Sequence, residues 1–240
     1  MKKISIILSS GNGSRVSSSS IPKQFIKVDN NFLLMHCLKR FYKHKDIDAI
    51  VLSLNSNYIK PFKRLLTNLN MDDKVFLVEG GYCRNESLKK AVIFLDTKLN
   101  VQDDDIILSH DGVRIFVDDK IIDANIKKLE QFEADVVYTG IFCKDTIGFK
   151  NSNDYVFNIP NRDLCFLGQT PQSAFWKTFK LVYKNEYDKK LYENSDFCKL
   201  ASINNKSICF VNGSELNFKI TTDFDVEIAK YLIQTKKLFK

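Results

Sequence analysis

The chain has 240 residues, of which 44% are hydrophobic and 27% charged, as in an ordinary globular protein long enough to bury a substantial core. No apolar run approaches the roughly 20 residues that a membrane-spanning helix needs, so we expect no membrane association. The net charge of +7 comes from lysines and arginines spread over many segments, without a basic stripe interleaved with aromatic residues. This distribution argues against a nucleic-acid-binding protein and suits a small polyanionic substrate.

The cysteines and the first residues indicate a compartment. The N-terminal apolar run is short and soon enters a polar loop, which is unlike a secretory signal. Without any C-x-x-C pair, the cysteines predict reduced thiols and a cytoplasmic location, and they argue against a disulfide framework or a zinc site. The six cysteines are residues 37, 83, 143, 165, 198 and 209.

The first element is an apolar run at residues 4–8, which predicts a buried strand, and a glycine-bearing loop follows it to Gln24. Gly11 and Gly13 lack a Cβ, so their amides can approach a ligand closely and form a concave anion site. Arg15 offers a planar fork to phosphate oxygens, and Lys23 offers a compact charge. The loop therefore predicts a triphosphate site, and an ordinary Ser/Gly-rich surface loop is the alternative.

Two better-known phosphate motifs do not match this loop. Walker A ends in Gly-Lys-Ser/Thr, whereas this chain has Ser14-Arg15 at that point. The dinucleotide fingerprint needs a third glycine where this chain has Val16. The sequence is thus neither that of a P-loop ATPase nor that of an ordinary NAD-binding protein.

Further along the chain, predicted strands alternate with predicted helices. The strands are Ile4–Leu8, Ile47–Leu54, Val75–Val78, Ile106–Ser109, Ala134–Phe142 and Ile208–Val211, and the helices are residues 31–44, 57–70, 84–99 and 118–133. This alternation predicts βαβ units around a parallel sheet, where ligands bind beyond the carboxyl ends of the strands. Gly80-Gly81 and His110-Asp111 follow strands and are therefore candidate site residues.

Residues 143–165 interrupt the alternation. Two short runs that resemble strands flank a polar turn at residues 151–154. A hairpin inserted late in an α/β domain has exposed edges, and pairing with a second subunit is one way to cover them. We expect this segment to be a dimerisation arm on a single domain spanning residues 1–240.

Six motifs occur in order from the first strand to the last helix: Gly11-x-Gly-x-Arg15, Pro22-Lys23-Gln24, Gly80-Gly81-x-x-Arg84-x-x-Ser87, His110-Asp111-x-x-Arg114, Gln169-Thr170-Pro171-Gln172 and Lys219-Ile-Thr-Thr222. Together they resemble the polyol-phosphate cytidylyltransferases. That family includes 2-C-methyl-D-erythritol 4-phosphate and ribitol-5-phosphate cytidylyltransferases. The resemblance implies a three-layer Rossmann-like nucleotidyltransferase fold with a mostly parallel sheet. It also implies a homodimer that transfers a cytidylyl group from CTP to a polyol phosphate.

Details within these motifs distinguish the two branches of the family. The segments 84–87, 195–199 and 217–222 look closer to the ribitol-phosphate branch. Three positions depart from the usual pattern: Ser9-Ser10 replaces small apolar residues, Ile115 replaces a proline, and Leu216 replaces an aspartate linked to the metal in the erythritol-phosphate enzymes. We expect D-ribitol 5-phosphate as acceptor, with 2-C-methyl-D-erythritol 4-phosphate as the alternative.

The resemblance also implies roles for particular residues. Catalytic cations on the phosphates would be Arg15, Lys23 and Lys219. Nucleotide-binding residues would be Ser10, Gly11, Asn12, Gly13, Ser14, Gly81, Arg84 and Ser87. The acceptor would be bound by Asp111, Arg114, Thr146 and Arg162, the last two reaching across the dimer, and Mg²⁺ would be held by Asp111. The alternatives are solvated surface charges, a helix-capping or turn role for Asp111, and a non-catalytic nucleotide-binding protein.

Overall fold

A computed structural model describes residues 1–11, 21–183 and 196–235. Its strands in chain order are β1 (Lys3–Ser9), β2 (Lys27–Val28), β3 (Asn31–Phe32), β4 (Ala49–Leu54), β5 (Val75–Glu79), β6 (Ile106–Asp111), β7 (Val136–Phe142), β8 (Phe149–Lys150), β9 (Val156–Asn158), β10 (Phe166–Phe175) and β11 (Ile208–Asn212). Seven of them form one sheet in the order β11-β7-β10-β6-β1-β4-β5. The predicted strands are all present in this sheet, with bounds shifted by one to two residues.

The sheet is parallel except at β10. Strand β1 lies between β4 and β6, with Ile6 beside Val51 on one side and Ser109 on the other. Strand β10 runs antiparallel between β6 and β7, and its register with β7 shifts between Gly168 and Gln172. This confirms a mostly parallel sheet and adds a strand that the sequence did not predict.

Helices cover both faces of the sheet. They are α1 (Leu33–Lys43), α2 (Ser56–Asn68), α3 (Arg84–Lys98), α4 (Asp119–Glu130), α5 (Trp176–Tyr183), α6 (Phe197–Ile203) and α7 (Asp223–Gln234). The four predicted helices correspond to α1–α4. Side-chain oxygens accept hydrogen bonds from backbone N–H groups at the starts of α2 and α4, through Asn55 and Asp118, and a capping box at Thr222 begins α7.

The apolar side chains form two clusters, one on each face of the sheet. One contains Phe41, Leu34 and Leu108, and the other contains Trp176 and Phe179. Burying about 50 hydrophobic residues in these clusters supplies the main stabilisation of the fold. The result is the predicted three-layer α/β arrangement. Within the described residues, no helix combines the length and apolarity that crossing a membrane would require.

The inserted segment forms a short hairpin that projects from the sheet. Strands β8 and β9 pair antiparallel, and a turn containing Asp154 at a φ of 65° joins them. Val156, Phe157 and Leu164 are 63%, 67% and 82% exposed. The structure therefore confirms the predicted hairpin, and these apolar side chains of the arm are exposed within the protomer.

Candidate active site

A cavity of about 300 Å³ opens at the carboxyl ends of β1 and β6. The described residues that line it come from five of the six motifs and from the end of β1, and they include Ser9, Ser10, Gly11, Lys23, Gln24, Gly81, Arg84, Ser87, Asp111 and Lys219. Parallel strands present their carboxyl ends at one edge of the sheet, which is why residues so distant in sequence meet here. Lys219 lies in the irregular segment before α7, not at the start of that helix.

The loop after β1 contributes its first and last residues to the cavity. Gly11 lines the cavity where the chain leaves β1 (the exit side), and Lys23 lines it where the chain comes back (the return side). Lys23 begins a short 3₁₀ turn from Lys23 to Phe25. The predicted site residues Asn12, Gly13, Ser14 and Arg15 lie outside the described residues.

One side of the cavity carries a hydroxyl network at the start of α3. Ser87 Oγ accepts a hydrogen bond from the Gly81 N–H at 3.0 Å and donates one to the Cys83 carbonyl at 2.9 Å. Ser10 Oγ lies 2.8 Å from Ser87 Oγ. Gly80 permits this approach, because a Cβ there would collide with the Ser10 side chain. Two of the residues predicted to bind the nucleotide, Gly81 and Ser87, are thus joined directly.

Asp111 is the centre of a charged cluster on the other side. Its Oδ1 lies 3.1 Å from Arg84 Nε, and its Oδ2 lies 3.0 Å from Lys219 Nζ. Arg114 Nε is 3.7 Å from the same Oδ2. One carboxylate therefore fixes three cations beside the cavity, and the cluster keeps an excess of positive charge that suits phosphates.

The three cations also control the protonation of Asp111. Burial alone would raise the pKa of this carboxyl, but the charges of Arg84, Lys219 and Arg114 outweigh burial and hold the pKa well below its usual range. The Asp111 side chain is only 9% exposed. It is therefore a permanent anion at physiological pH.

Strand β10 holds the end of β6, which carries Asp111. Thr170 Oγ1 accepts the Asp111 N–H at 3.1 Å and lies 3.1 Å from His110 Nδ1, while His110 Nε2 is 3.0 Å from the Arg114 carbonyl. Burial lowers the pKa of His110 to about 4, so the ring is neutral and acts as a fixed link. Thr170 had no predicted site role, although its motif Gln169-Thr170-Pro171-Gln172 was a signal for one.

Arg114 is held by the backbone as well as by Asp111. It donates hydrogen bonds to the Asn217 carbonyl at 2.9 Å and to the Gly168 carbonyl at 3.4 Å. Asn217, fully buried, donates in turn to the Thr170 carbonyl at 2.8 Å. The segment before Lys219 and the strand beside Asp111 are thereby tied together.

Few oxygen ligands surround Asp111, the predicted Mg²⁺ ligand. Mg²⁺ prefers several oxygen ligands, but both oxygens of Asp111 already face cations. Asp111 is the only carboxylate among the described residues that line the cavity. Leu216, which replaces the aspartate expected from the resemblance, is 42% exposed and offers no oxygen ligand from its side chain. In this arrangement Asp111 anchors cations with both oxygens, and its role as a Mg²⁺ ligand stays a prediction.

A different group of potential metal ligands lies outside this cavity. His44, Asp46 and Asp123 offer ligand atoms within 4.8 Å of one another. His44 Nδ1 accepts the Asp46 N–H at 3.3 Å, and its Nε2 lies 3.3 Å from Asp123 Oδ1. These contacts already use both ring nitrogens of His44. The three side chains therefore connect the end of α1 to α4.

The remaining two predicted residues lie on the arm. Thr146 and Arg162 are exposed, and neither lines the cavity of its own chain. Arg162 donates a hydrogen bond to the Lys144 carbonyl at 3.0 Å, at the root of the arm. Their predicted role at the site of a second subunit therefore stays a prediction.

Comparison with known proteins gives a consistent result over nearly the whole chain. The family model of 2-C-methyl-D-erythritol 4-phosphate cytidylyltransferase (IspD) matches residues 4–235. A ribitol-5-phosphate cytidylyltransferase from Lactiplantibacillus plantarum is 33% identical over 231 residues, covering 96% of this chain and 97% of the relative.

Solved structures agree in fold. The 4-diphosphocytidyl-2C-methyl-D-erythritol synthase of Anaerococcus prevotii superposes with a TM-score of 0.78 at 25% identity, over 97% of this chain and 96% of its own. The 2-C-methyl-D-erythritol 4-phosphate cytidylyltransferase of Francisella tularensis also gives a TM-score of 0.78, at 23% identity, over 96% and 99%. The architecture described above is therefore that of these nucleotidyltransferases.

Proposed function

The chain belongs to the 2-C-methyl-D-erythritol 4-phosphate cytidylyltransferase family, and from this we propose that it transfers a cytidylyl group from CTP to D-ribitol 5-phosphate, yielding CDP-ribitol and pyrophosphate. The observation that carries the proposal is the cavity between the Gly81–Ser87 hydroxyl network and the cation cluster on Asp111. One side suits a base edge and the other suits phosphates.

In this reaction an oxygen of the acceptor phosphate attacks the α-phosphorus of CTP. The bond from the α-phosphorus to the bridging oxygen breaks, and pyrophosphate leaves. The protein needs to supply little covalent chemistry, so positioning and charge stabilisation carry most of the rate. Lys23 and Lys219 line the cavity from opposite ends of the chain and are our candidates, with Arg15, for stabilising the charge that builds on the phosphates.

The base is selected, in this proposal, by the Gly81–Ser87 side of the cavity. A site built from fixed hydrogen-bonding groups discriminates against a base that leaves them unpaired. The cavity is also small, which disfavours purines. Ser10, Gly11 and Arg84 complete the described part of the nucleotide site, and Asn12, Gly13 and Ser14 are proposed to close it.

The acceptor is bound, in this proposal, by Asp111 and Arg114 of one subunit and by Thr146 and Arg162 of a second. The arm supports a homodimer because it exposes apolar side chains such as Phe157 and Leu164 that a second copy could cover. Each protomer would act as a single domain whose arm completes the site of its partner.

We propose that Mg²⁺ enters as the complex with CTP, as part of the substrate. The bound ion would neutralise phosphate charge and so assist departure of pyrophosphate. The three cations on Asp111 support this reading, because they leave the carboxylate no free oxygen for a resident ion. A cytoplasmic location is supported by the six unpaired cysteines.

Two polyol phosphates are candidates for the acceptor. The 33% identity to a ribitol-5-phosphate cytidylyltransferase and the leucine at position 216 favour D-ribitol 5-phosphate. The family model favours 2-C-methyl-D-erythritol 4-phosphate as the second candidate.

The test is pyrophosphate release from CTP with a panel of polyol phosphates in the presence of Mg²⁺. We expect the highest kcat/KM with D-ribitol 5-phosphate. A higher value with 2-C-methyl-D-erythritol 4-phosphate would select the second candidate. CTP binding without turnover of any acceptor would instead identify a non-catalytic nucleotide-binding protein, an outcome that the intact Lys23, Asp111 and Lys219 argue against.

A further inference from the structure

Gln24 lies buried between the two ends of the glycine-bearing loop. Its side chain is 2% exposed, and its Nε2 donates one hydrogen bond to the Ser9 carbonyl and another to the Gly11 carbonyl, each at 2.9 Å. Both amide hydrogens are therefore used on the first turn after β1. The side chain joins the point where the chain leaves the sheet to the point where it returns.

The return side is itself anchored in the core. Phe25, next to Gln24, is 5% exposed and stacks on Tyr58 with ring centroids 4.1 Å apart. The Phe25 N–H donates to the Pro22 carbonyl at 2.9 Å, which closes the turn around Lys23. Gln24 is thus held by rigid neighbours, and its amide can fix the exit side in turn.

The two carbonyls that Gln24 engages belong to the edge of a cavity proposed to bind phosphates. A carbonyl oxygen that pointed at a phosphate would repel it, whereas backbone N–H groups attract it. Hydrogen bonds to Gln24 draw the Ser9 and Gly11 carbonyls toward the amide. They also keep Gly11 and Lys23, both of which line the cavity, at a fixed separation.

We propose that Gln24 is a positioning residue for the triphosphate: its amide sets the orientation of the Ser9 and Gly11 carbonyls and the spacing of Gly11 and Lys23 at the edge of the cavity, without touching the reacting atoms. This inference rests on the proposed function, because it takes a nucleoside triphosphate as the ligand of the cavity. Gln24 should therefore affect binding of the phosphates of that ligand and not binding of the base.

The test compares wild type with Gln24→Glu, which keeps the shape but replaces the two donor hydrogens with an oxygen facing two carbonyls. Calorimetry would measure binding of CTP, inorganic tripolyphosphate and cytidine. We expect affinity for CTP and tripolyphosphate to fall by about tenfold or more and affinity for cytidine to stay within about twofold. KM for CTP should rise, whereas KM for the polyol phosphate should not change.

Two further variants separate positioning from damage to the fold. Gln24→Met removes the donors without adding charge, and we expect a smaller loss of tripolyphosphate affinity in the same direction. Asn125→Asp is the matched control, because Asn125 is a fully buried amide with two donated hydrogen bonds, to the Ile121 carbonyl and Thr139 Oγ1, away from the cavity. It should lower Tm and leave all three affinities unchanged.

Each remaining outcome is decisive. Equal tripolyphosphate binding by wild type and both Gln24 variants would overturn the inference and leave the proposed function intact. An equal loss for cytidine and tripolyphosphate would also overturn it, since general damage would then explain the effect. A wild-type protein that bound neither CTP nor tripolyphosphate would overturn the proposed function, and this inference with it.

Discussion

Lys219 Nζ lies 3.0 Å from Asp111 Oδ2, although the two residues are contributed by distant segments of the chain. The carboxylate thereby holds a lysine from the irregular segment before α7 against the end of β6. The pairing places the Lys219 ammonium group where a phosphate would bind. Until a phosphate binds, Asp111 neutralises part of the charge of this ammonium group.

We expect Lys23→Ala and Lys219→Ala each to lower kcat/KM by about 100-fold or more, on the order of 3 kcal/mol of transition-state stabilisation. Both ammonium groups line the cavity, and neither side chain lies in the apolar core. Tm should change little for Lys23→Ala but fall for Lys219→Ala, because the second variant removes one of the three cations from buried Asp111. Steady-state pyrophosphate release provides the measurement, and Lys27→Ala, an exposed lysine on β2, is the control. Near-wild-type turnover in both variants would remove these lysines from the mechanism.

Asp111→Asn should impair stability as well as activity. Removing the carboxylate leaves Arg84, Arg114 and Lys219 facing one another without their shared anion, and breaking a buried ion pair costs roughly 3 kcal/mol. We expect a lower Tm together with a loss of kcat/KM, measured by thermal unfolding and by pyrophosphate release. If Asp111 instead held Mg²⁺, the variant would show a raised requirement for Mg²⁺ with an unchanged Tm in its absence.

Base selection should depend on the hydroxyl of Ser87. We expect wild type to prefer CTP to UTP and either to ATP or GTP, and Ser87→Ala to reduce the preference for CTP over UTP by about tenfold. The comparison of kcat/KM for the four nucleotides provides the measurement. Thr97→Ala, on the same helix and exposed, is the control. Equal activity of wild type with ATP or GTP would contradict the cytidylyl assignment.

The neutral, buried His110 makes stability depend on pH. Its pKa is about 4 in the folded protein, lowered mainly by burial and further by Arg114 and Arg84, with opposing effects from the Arg114 carbonyl and Asp111. The unfolded chain takes up this proton near pH 6.5 and the folded protein does not, so the free energy of unfolding falls as pH drops from about 6.5 to 4, by about 3 kcal/mol.

Chemical denaturation at several pH values, without divalent ions, measures this dependence. His110→Asn should flatten it over that interval. Burial also lowers the pKa of His36, but His36 is present in both proteins, so the difference between them reports His110. Parallel pH profiles for the two proteins would show that His110 is not the group responsible.

The arm should bind the acceptor phosphate of a second subunit. We expect Arg162→Ala to raise KM for the polyol phosphate by about tenfold or more with little change in KM for CTP, because the guanidinium would contact that phosphate alone. Lys150→Ala, also exposed on the arm, is the control.

Subunit mixing tests the same point directly. If the site is shared, a mixed dimer of Arg162→Ala and Lys23→Ala subunits has one site with both defects and one with neither, so activity should partly return. A fully active monomer in sedimentation, or no recovery on mixing, would refute the shared site.

The sequence predicted the fold well where local patterns are sufficient. Runs of β-branched residues predicted the parallel strands, and the ends of these strands carried the residues that meet in the cavity. Strand β10 was missed because its middle contains Pro171 and polar residues that resemble a loop, and only its neighbours β6 and β7 make it a strand.

Within the site, residue types were predictable but pairings were not. The sequence singled out Asp111 as a possible metal ligand, since a carboxylate after a strand is typical of one. Its three cationic partners come from three separate segments, and only the tertiary structure shows that they occupy both oxygens. The same holds for Gln24, whose two carbonyl partners are backbone atoms and leave no trace in the side-chain pattern.

The junction between the arm and β10 has a consequence for how this chain can vary in length. The tip of the arm is a turn at Asn151–Asp154 whose hydrogen bonds are local, so residues gained or lost there disturb little else. One residue inserted between Phe166 and Thr170 would instead slip the strand and turn Thr170 away from Asp111. Natural relatives and engineered fusions should therefore differ freely in the length of the arm and hardly at all at its root.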